Sequence, residues 1–318
     1  MQVIVQKIVV LGTGGTIAGT AASASASVDY AAAQLAIGDV IGALPLPQNI
    51  EVVTEQVAQV DSKDMTLDAW HLLASRCADW GARADVAGIV VTHGTDTLEE
   101  TAFFLHAVLP SAKPVALTCA MRPATALQAD GPQNLVDALT VAASGHAAGV
   151  VVVCGGTIHS PVAVRKVHPY RLDAFSSGEA GPLGVVEEGR LRMFKPWPQD
   201  GGEYGAALQA LEAGQQWPRV EIVTSHVGAD ARLVDALTGQ GIDGMVVAGT
   251  GNGTVHSALE AGLLRAAAAG ISVVRSSRCM DGAVLPREAD LLEGSGALTP
   301  VKARIAMMLQ LLTARVSG

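Results

Sequence analysis

The stretch VVLGTGGTIAG, residues 9–19, runs an apolar segment directly into a loop that contains four glycines. Glycine adds no side chain to a turn, so such a loop lets the backbone approach a ligand closely. The chain begins with MQVIVQKIVVL, residues 1–11, which lacks the charged start and the cleavage site of a signal peptide and is interpreted as the first strand. The stretch therefore predicts an α/β protein whose first strand ends in a ligand-binding loop.

Short apolar runs of the same kind recur along the chain, and each is followed by a loop. VAGIVVTHG (86–94), KPVALTCAM (113–121) and AGVVVVCGG (148–156) are typical of buried parallel strands. After the first of these, a helix is expected to start at Asp96–Thr97 and to end before Pro110. Right-handed crossovers place the loops that follow parallel strands at one edge of a sheet, where open α/β folds bind ligands.

A break in this pattern near Lys195 predicts two domains. FKPWPQDGGEYG (194–205) is rich in Pro and Gly, and 318 residues exceed the roughly 150 expected of one domain. We expect an N-terminal α/β domain at 1–195, a linker at 196–218 and a C-terminal α/β domain at 219–318. Each domain should hold a mainly parallel sheet flanked by helices, and the N-terminal one is larger. The strand-like runs of the second domain are VEIVTSHVG (220–228), DGMVVAGTGNGTV (243–255) and ISVVRSSR (271–278).

Composition argues against several classes of function. The formal net charge is -9 and no basic run is present, so the chain lacks the electrostatic footprint of a nucleic-acid-binding protein. No stretch approaches the about 18 uninterrupted apolar residues of a membrane span. The cysteines are widely spaced without a C-x-x-C pair, which argues against a zinc site or a disulfide framework. We expect a small-molecule ligand, no metal, no cofactor and a cytoplasmic location, or a periplasmic one if a signal peptide has been removed.

The glycine loop fits neither common phosphate-binding motif. A dinucleotide fingerprint needs a glycine where Ile17 stands, and a P-loop needs a lysine where Thr20 stands. Hydroxyls accompany the glycines instead, at Thr13 and Thr16 in this loop and at Thr95 after another strand. A threonine attacks a carbonyl when a neighbour accepts its proton and when backbone N–H groups, which a glycine-rich turn supplies, stabilise the oxyanion. The loop is therefore a candidate acyl-transfer site.

Two segments, GTGGTIAG (12–19) and VVTHGTDTLEETAFFL (90–105), resemble the signature segments of the bacterial-type L-asparaginases. The resemblance extends over nearly the whole chain, with further segments in family order. It implies hydrolysis of L-asparagine to L-aspartate and ammonia, with some activity on L-glutamine. The further segments are DSKDM (61–65), AMRPATALQADGPQNL (120–135), VRKVH (164–168), FSSGEAGPLG (175–184), AGTGNGTVHSAL (248–259) and VVRSSR (273–278).

The resemblance implies roles for five catalytic residues. Thr16 is the nucleophile that forms an acyl-enzyme with the side-chain amide, and Tyr30 assists it from a mobile loop that closes over the site. Thr95, Asp96 and Lys166 form a second cluster, in which lysine and carboxylate polarise a threonine that orients water or relays protons.

The same resemblance implies the contacts to the substrate. Asp96, beside Thr95, grips the substrate's ammonium group. Ser62 binds the α-carboxylate, and the backbone carbonyl of Ala120 lies near the amide nitrogen. The implied partner is therefore the small molecule L-asparagine.

The resemblance also implies contacts between subunits. Asn252 reaches the site of a neighbouring subunit, which implies a homotetramer built as a dimer of dimers. Glu288 is the nearest equivalent of a glutamate that the family contributes across the dimer.

The sequence departs from the family pattern at two positions. Lys63 stands where the family more often has Gln or Glu, and its charge repels the substrate's ammonium unless its side chain points away. Ala112 stands where secreted members carry a cysteine of their disulfide, so Cys77 and the other cysteines are expected to be reduced and buried.

Structural interpretations of these residues stay open. In these alternative interpretations, Thr16 only caps a turn and Asp96 only caps the helix that begins at Leu98. The segment around Tyr30 would then be an ordinary surface loop. The histidines after strand ends have no metal spacing and are expected to pack or to hydrogen-bond. Two other functions also stay open, a non-catalytic amino-acid binding or sensing protein and the asparaginase-like subunit of a tRNA-dependent amidotransferase. The joint occurrence of Thr16, Ser62 and Lys166 favours the amidohydrolase.

Overall fold

The structure is a computed structural model that describes residues 5–44, 46 and 50–317. It divides into two compact units after Gly205. The division falls within the segment that the sequence assigns to a linker, and part of that segment, Gly205–Glu212, is helical. Residues 1–4 of the expected first strand lie outside the described residues.

The first unit alternates strands and helices along the chain. Short 3-10 helices follow the first two strands, at Thr16–Ala18 and Ser62–Asp64. The longer elements are, in chain order, β1 (Gln6–Gly14), α1 (Ile37–Gly42), β2 (Ile50–Val60), α2 (Leu67–Ala82), β3 (Val86–Thr92), α3 (Leu98–Val108), β4 (Pro114–Thr118), α4 (Gly131–Ala142), β5 (Gly149–Cys154), β6 (Thr157–His159), β7 (Arg165–Lys166), β8 (Phe175–Ser176), β9 (Gly184–Glu187) and β10 (Arg190–Met193).

An eight-stranded sheet in the order β10-β9-β6-β5-β4-β3-β1-β2 forms the centre of this unit. The five strands from β5 to β2 are parallel, and β6, β9 and β10 are antiparallel at one side. Strands β3, β4 and β5 are buried along almost their whole length, which explains their continuous apolar sequences. The α/β prediction with a mainly parallel sheet is confirmed, whereas β2 and the antiparallel side were not predicted.

The register of the sheet brings the ends of three strands to one edge. Gly12 pairs with Thr92, and Thr92 pairs with Thr118. Because these strands are parallel, the segments that follow them leave the sheet on the same side. The Thr13 hydroxyl donates to the Thr92 carbonyl at 2.9 Å and ties the first two segments together.

Helix α2 packs its apolar face against the central sheet. Its first residue follows Thr66, whose hydroxyl accepts a hydrogen bond from the backbone N–H three residues on, as an N-cap does. Trp70 is buried, as expected, and stacks on Phe104 of α3 with ring centroids 4.9 Å apart. The buried residues recur at helical spacing: Trp70, Leu73, Ala74 and Cys77.

The second unit contains a four-stranded parallel sheet in the order β11-β12-β13-β14. The C-terminal helix α8, which was not predicted, packs against β11, β12 and β13. Neither this helix nor any other in the described part of the chain is long and apolar enough to cross a membrane. The elements are α5 (Gly205–Glu212), β11 (Val220–Thr224), α6 (Arg232–Gly239), β12 (Gly244–Gly249), α7 (Ser257–Ala268), β13 (Ser272–Ser277), β14 (Glu293–Gly294) and α8 (Pro300–Ser317).

All four cysteines are free thiols. Cys77, Cys119 and Cys154 are buried, as expected, and burial raises the pKa of the Cys77 thiol. The sulfurs of Cys119 and Cys154 lie 3.0 Å apart at the ends of neighbouring strands. The expectation of burial is wrong for Cys279, which is exposed in the loop after β13.

Two buried histidines predict that the protein loses stability on mild acidification. Burial lowers the pKa of His93 and of His159 from 6.5 to about 4. As the pH falls from 6.5, the unfolded chain takes up protons at these positions while the folded chain does not. The free energy of unfolding should therefore drop by about 3 kcal/mol for the two histidines together between pH 6.5 and pH 5.

Urea unfolding at half-unit pH steps measures this drop. His106, whose pKa burial also lowers, adds to the drop, whereas burial raises the pKa of Asp137, which takes up protons in the folded chain and offsets part of it. In the variant His159→Gln the drop should be about 1.5 kcal/mol smaller than in the wild type, which is the share of one histidine. A free energy of unfolding that stays constant from pH 6.5 to pH 5 would show that the histidines are not held neutral.

Candidate active site

The glycine loop after β1 packs backbone against backbone on the segment after β3. Gly14 and Gly15 have φ values of 99° and 79°, a left-handed region that favours glycine. A Cβ atom at Gly15 would lie 2.4 Å from the Cα of Gly94, so no larger residue fits there. The chain then turns into the short 3-10 helix that starts at Thr16. The glycines therefore fix the position of this threonine beside the second loop.

Thr16 is buried, and its hydroxyl lies 2.7 Å from the hydroxyl of Tyr30. Tyr30 is half-buried and comes from the segment between β1 and α1. A pair of backbone hydrogen bonds between Thr20 and Ala31, both 2.9 Å long, closes the base of this segment. The structure therefore places the predicted nucleophile and its predicted helper in direct contact.

The second predicted cluster is also assembled. The ammonium group of Lys166 lies 2.8 Å from the Thr95 hydroxyl and 2.6 Å from an oxygen of the Asp96 carboxylate. Lys166 lies in β7, where its backbone N–H donates to the carboxylate of Glu99 at 2.6 Å. Thr97, and not Asp96, is the N-cap residue of α3, so the Asp96 carboxylate is engaged by the lysine and does not cap the helix.

A cavity of about 180 Å³ joins the two clusters. Five of its ten lining residues, Met121 among them, were not predicted as site residues from the sequence. Met121 follows a strand end at the functional edge, a signal that could have identified it. Tyr170 follows Lys166 closely in the chain, and the guanidinium of Arg122 lies 4.2 Å above its ring. The lining residues are Thr16, Ser27, Val28, Tyr30, Thr95, Asp96, Met121, Lys166, Pro169 and Tyr170.

Ser62 and Ala120 lie on segments that adjoin these clusters. Ser62 is buried; its hydroxyl accepts a hydrogen bond from the Asp96 N–H at 3.1 Å, and its carbonyl accepts one from the Thr97 hydroxyl at 2.8 Å. Ala120 is buried directly before Met121. The carboxylate of Asp130 accepts the N–H of Met121 at 2.9 Å and fixes the course of this segment.

The Lys63 side chain is engaged by two carboxylates. Its ammonium group lies 2.7 Å from Asp61 and 3.0 Å from Asp64, and these neighbours raise its pKa. The side chain is 60% exposed and Lys63 is not among the lining residues of the cavity. Its charge is therefore balanced locally.

Asn252 and Glu288 belong to the second unit. The Asn252 amide forms two hydrogen bonds with the backbone of Leu285, donating at 2.9 Å to its carbonyl and accepting at 2.7 Å from its N–H. Glu288 is exposed in the same segment. The structure does not bring these two residues into the lining of the cavity at Thr16.

Among the described residues, no three His, Cys, Asp or Glu side chains are grouped closely enough to hold a metal ion. The histidines after strand ends instead form hydrogen bonds, as His159 does with Ser177 at 2.9 Å. The polar groups that the cavity brings together are the Thr16–Tyr30 hydroxyl pair and the Thr95–Asp96–Lys166 cluster. Such groups suit nucleophilic attack and proton transfer on a small polar substrate.

Fold and site together define a class of two-unit α/β proteins in which a buried threonine on a glycine loop faces a threonine–aspartate–lysine cluster. Residues 7–199 match the family model for the N-terminal part of asparaginase, and residues 219–315 match that for the glutaminase/asparaginase C-terminal domain. The chain belongs to the bacterial-type L-asparaginase family, which confirms the resemblance found in the sequence.

Individual relatives match over almost the whole chain. The L-asparaginase 2 of Bacillus subtilis is 38% identical over 309 residues, covering 95% of this chain and 81% of that protein. A glutaminase-asparaginase of Pseudomonas fluorescens is 37% identical over 315 residues, covering 96% and 86%. The crystal structure of a probable cytoplasmic L-asparaginase from Campylobacter jejuni has a TM-score of 0.89 at 36% identity and covers 96% of this chain and 95% of that one.

Proposed function

We propose that the protein is an L-asparaginase, which hydrolyses the side-chain amide of L-asparagine to L-aspartate and ammonia. The observation that carries this proposal is that Thr16 and the Thr95–Asp96–Lys166 cluster line one small cavity. The relatives described above carry asparaginase in their names, which supports the same activity. The size of the cavity suits a single amino acid.

Thr16 performs the first step. Its hydroxyl oxygen attacks the amide carbon of the substrate, and the hydroxyl proton passes through the Tyr30 hydroxyl, 2.7 Å away, to the amide nitrogen. The C–N bond breaks, ammonia leaves, and the acyl group remains on Thr16 as an ester. Backbone N–H groups of the two loops stabilise the negative charge on the carbonyl oxygen.

Water completes the reaction in the second step. Lys166 donates to Thr95 at 2.8 Å and to Asp96 at 2.6 Å, which leaves the Thr95 hydroxyl oriented toward water. The water oxygen bonds to the ester carbon, and its proton is relayed to the Thr16 oxygen as the ester bond breaks. L-aspartate leaves and the Thr16 hydroxyl is restored.

Three further groups bind the substrate, two of them at its ammonium and α-carboxylate groups and one at its amide nitrogen. The Asp96 side chain is 53% exposed and meets the substrate's ammonium with the carboxylate oxygen that Lys166 does not occupy. The Ser62 hydroxyl, which accepts from the Asp96 N–H, donates its own proton to the α-carboxylate. The Ala120 carbonyl accepts from the amide nitrogen. Lys63 stands beside Ser62, and Asp61 and Asp64 balance its charge so that it does not repel the ammonium.

The proposal extends to a minor L-glutaminase activity, a cytoplasmic location and a homotetramer built as a dimer of dimers. In this assembly Asn252 and Glu288 of one subunit complete the site of its neighbour. Four free cysteines support the reducing compartment. Size-exclusion chromatography with light scattering tests the assembly, and a monomer at micromolar concentration contradicts it.

The activity is tested by ammonia release from L-asparagine, L-glutamine and D-asparagine over a range of substrate concentrations. We expect selective release from L-asparagine, with a slower rate on L-glutamine. Binding of L-asparagine without ammonia release from a folded, tetrameric sample would contradict the proposal and favour an amino-acid binding protein. Co-purification with a second subunit and release only from L-glutamine would favour an amidotransferase component.

A further inference from the structure

A chain of buried hydrogen bonds ends at the loop that carries Thr95. The Trp70 indole N–H donates to the Thr101 hydroxyl at 2.8 Å, and that hydroxyl lies 2.9 Å from Nε2 of His93. Nδ1 of His93 lies 2.8 Å from the carbonyl oxygen of Gly94. Trp70, Thr101 and His93 are all buried, and none of them lines the cavity.

The partners determine where the His93 ring carries its proton. A carbonyl oxygen only accepts, so Nδ1 of His93 must donate to Gly94. The ring is buried and carries one proton only, so Nε2 accepts a hydrogen bond from the Thr101 hydroxyl, which in turn accepts one from the Trp70 indole N–H. The ring is then neutral, which agrees with burial lowering its pKa to about 4. All bonds in the chain point the same way, from Trp70 toward Gly94.

This direction fixes the orientation of the peptide bond between Gly94 and Thr95. The described chain contains no cis peptide bond, so the carbonyl of Gly94 and the N–H of Thr95 point in opposite directions. With the carbonyl turned to His93, the Thr95 N–H points away from the ring. Within the described part of the chain this N–H has no hydrogen-bond partner, which leaves it available to a ligand in the cavity that Thr95 lines.

Gly94 is also the point where three segments of the site meet. A Cβ atom there would lie 2.5 Å from the Ser62 hydroxyl oxygen and 3.2 Å from the Cα of Gly15. A rotation of this peptide therefore displaces the Thr95 hydroxyl from Lys166 and disturbs the packing of the nucleophile loop.

We propose that His93 is a positioning residue for the amide hydrolysis, holding the Gly94–Thr95 peptide so that both the N–H and the hydroxyl of Thr95 are in place for the reaction. The inference rests on the proposed function, because its effect is on turnover. His93 touches no reacting atom and acts only through Gly94. Its role is distinct from a packing role because it depends on one tautomer of the ring.

The test compares His93→Gln with Thr101→Val and with a matched control. His159→Gln removes another buried histidine, which hydrogen-bonds Ser177 and lies outside the cavity lining. We expect kcat for L-asparagine to fall on the order of 10- to 100-fold in His93→Gln, with a smaller change in KM, because misplacement of a catalytic group mainly affects the transition state. Thr101→Val should lower kcat in the same way, since it removes the donor to Nε2. His159→Gln should lower Tm while kcat stays within about twofold of the wild type.

Nitrogen-15 spectra of the histidine rings give a readout that is independent of turnover. The signals lost in His93→Gln should belong to a ring protonated at Nδ1 and unprotonated at Nε2 at pH 7. A folded His93→Gln protein with wild-type kcat would overturn the inference, as would a ring protonated at Nε2. No ammonia release from the wild type would overturn the proposed function itself, and the two failures are thereby distinguished.

Discussion

Replacing Thr16 with alanine is expected to lower kcat for L-asparagine hydrolysis by on the order of 10⁴-fold or more, because the group that forms the covalent bond is lost. The Thr16 hydroxyl is buried in the cavity and touches Tyr30, whereas the change to alanine removes few packing contacts. The fold and Tm should therefore change little. Steady-state ammonia release, together with thermal unfolding of the same sample, measures both quantities.

Two variants of the same loop serve as controls. Thr16→Ser keeps the hydroxyl and should retain a substantial part of kcat. Thr13→Ala also removes a threonine hydroxyl, but that hydroxyl is bonded to the Thr92 carbonyl, so it should cost about 1 kcal/mol of stability and leave kcat within about tenfold of the wild type. If Thr16→Ala retains kcat within tenfold of the wild type, or if Thr13→Ala is as inactive as Thr16→Ala, the nucleophile assignment is wrong.

Replacing Lys166 with methionine is expected to lower kcat by about 10² to 10⁴-fold, the range associated with loss of general acid–base assistance. The ammonium group donates to both Thr95 and Asp96, so its loss removes the polarisation of the threonine and leaves a carboxylate beside it without its cation. Thr95→Val removes the other end of the same interaction. Mass spectrometry after a brief mixing with substrate shows whether the acyl-enzyme accumulates, as expected if the second step is slowed.

The double variant separates a shared role from two independent ones. If Lys166 and Thr95 act as a unit, then Lys166→Met with Thr95→Val should be about as slow as the slower single variant. Lys7→Met, which removes a surface lysine paired with Asp85 at 2.8 Å, is the matched control and should keep wild-type kcat. Multiplicative losses in the double variant would show that Lys166 and Thr95 act independently. A Lys166→Met protein with wild-type turnover would show that this cluster is not part of the reaction.

The parallel centre of the fold was predictable because its strands are buried on both faces. β3, β4 and β5 are continuous apolar runs, which the sequence reports directly. β2, with the sequence IEVVTEQVAQV, was missed because an edge strand mixes polar and apolar residues. The antiparallel strands β6, β9 and β10 have only three or four residues each, too few to show a period.

Residues that line the cavity could be singled out from the sequence where they sit in local motifs. The threonines of the two glycine loops and the acidic residue after Thr95 were found in this way. The residue types alone did not distinguish Thr13 from Thr16, whose tertiary partners differ, and only the resemblance to the family selected Thr16. Met121 and Tyr170 were missed as lining residues because their place in the cavity depends on the tertiary fold.

The sequence by itself determined the family, the α/β class and the identity of the chemical groups, because glycine loops, apolar strands and family segments are local patterns that survive without coordinates. Only the tertiary structure decided which groups meet. Lys166 lies 71 residues from Thr95 along the chain, in a two-stranded sheet of β7 and β8 that is separate from the central sheet, and the two residues meet only because the tertiary fold brings β7 next to the start of α3. The hydrogen-bond partners of His93 and the engagement of Lys63 by two carboxylates were decided in the same way. Contacts of this kind depend on register and packing between distant segments, which no local pattern encodes.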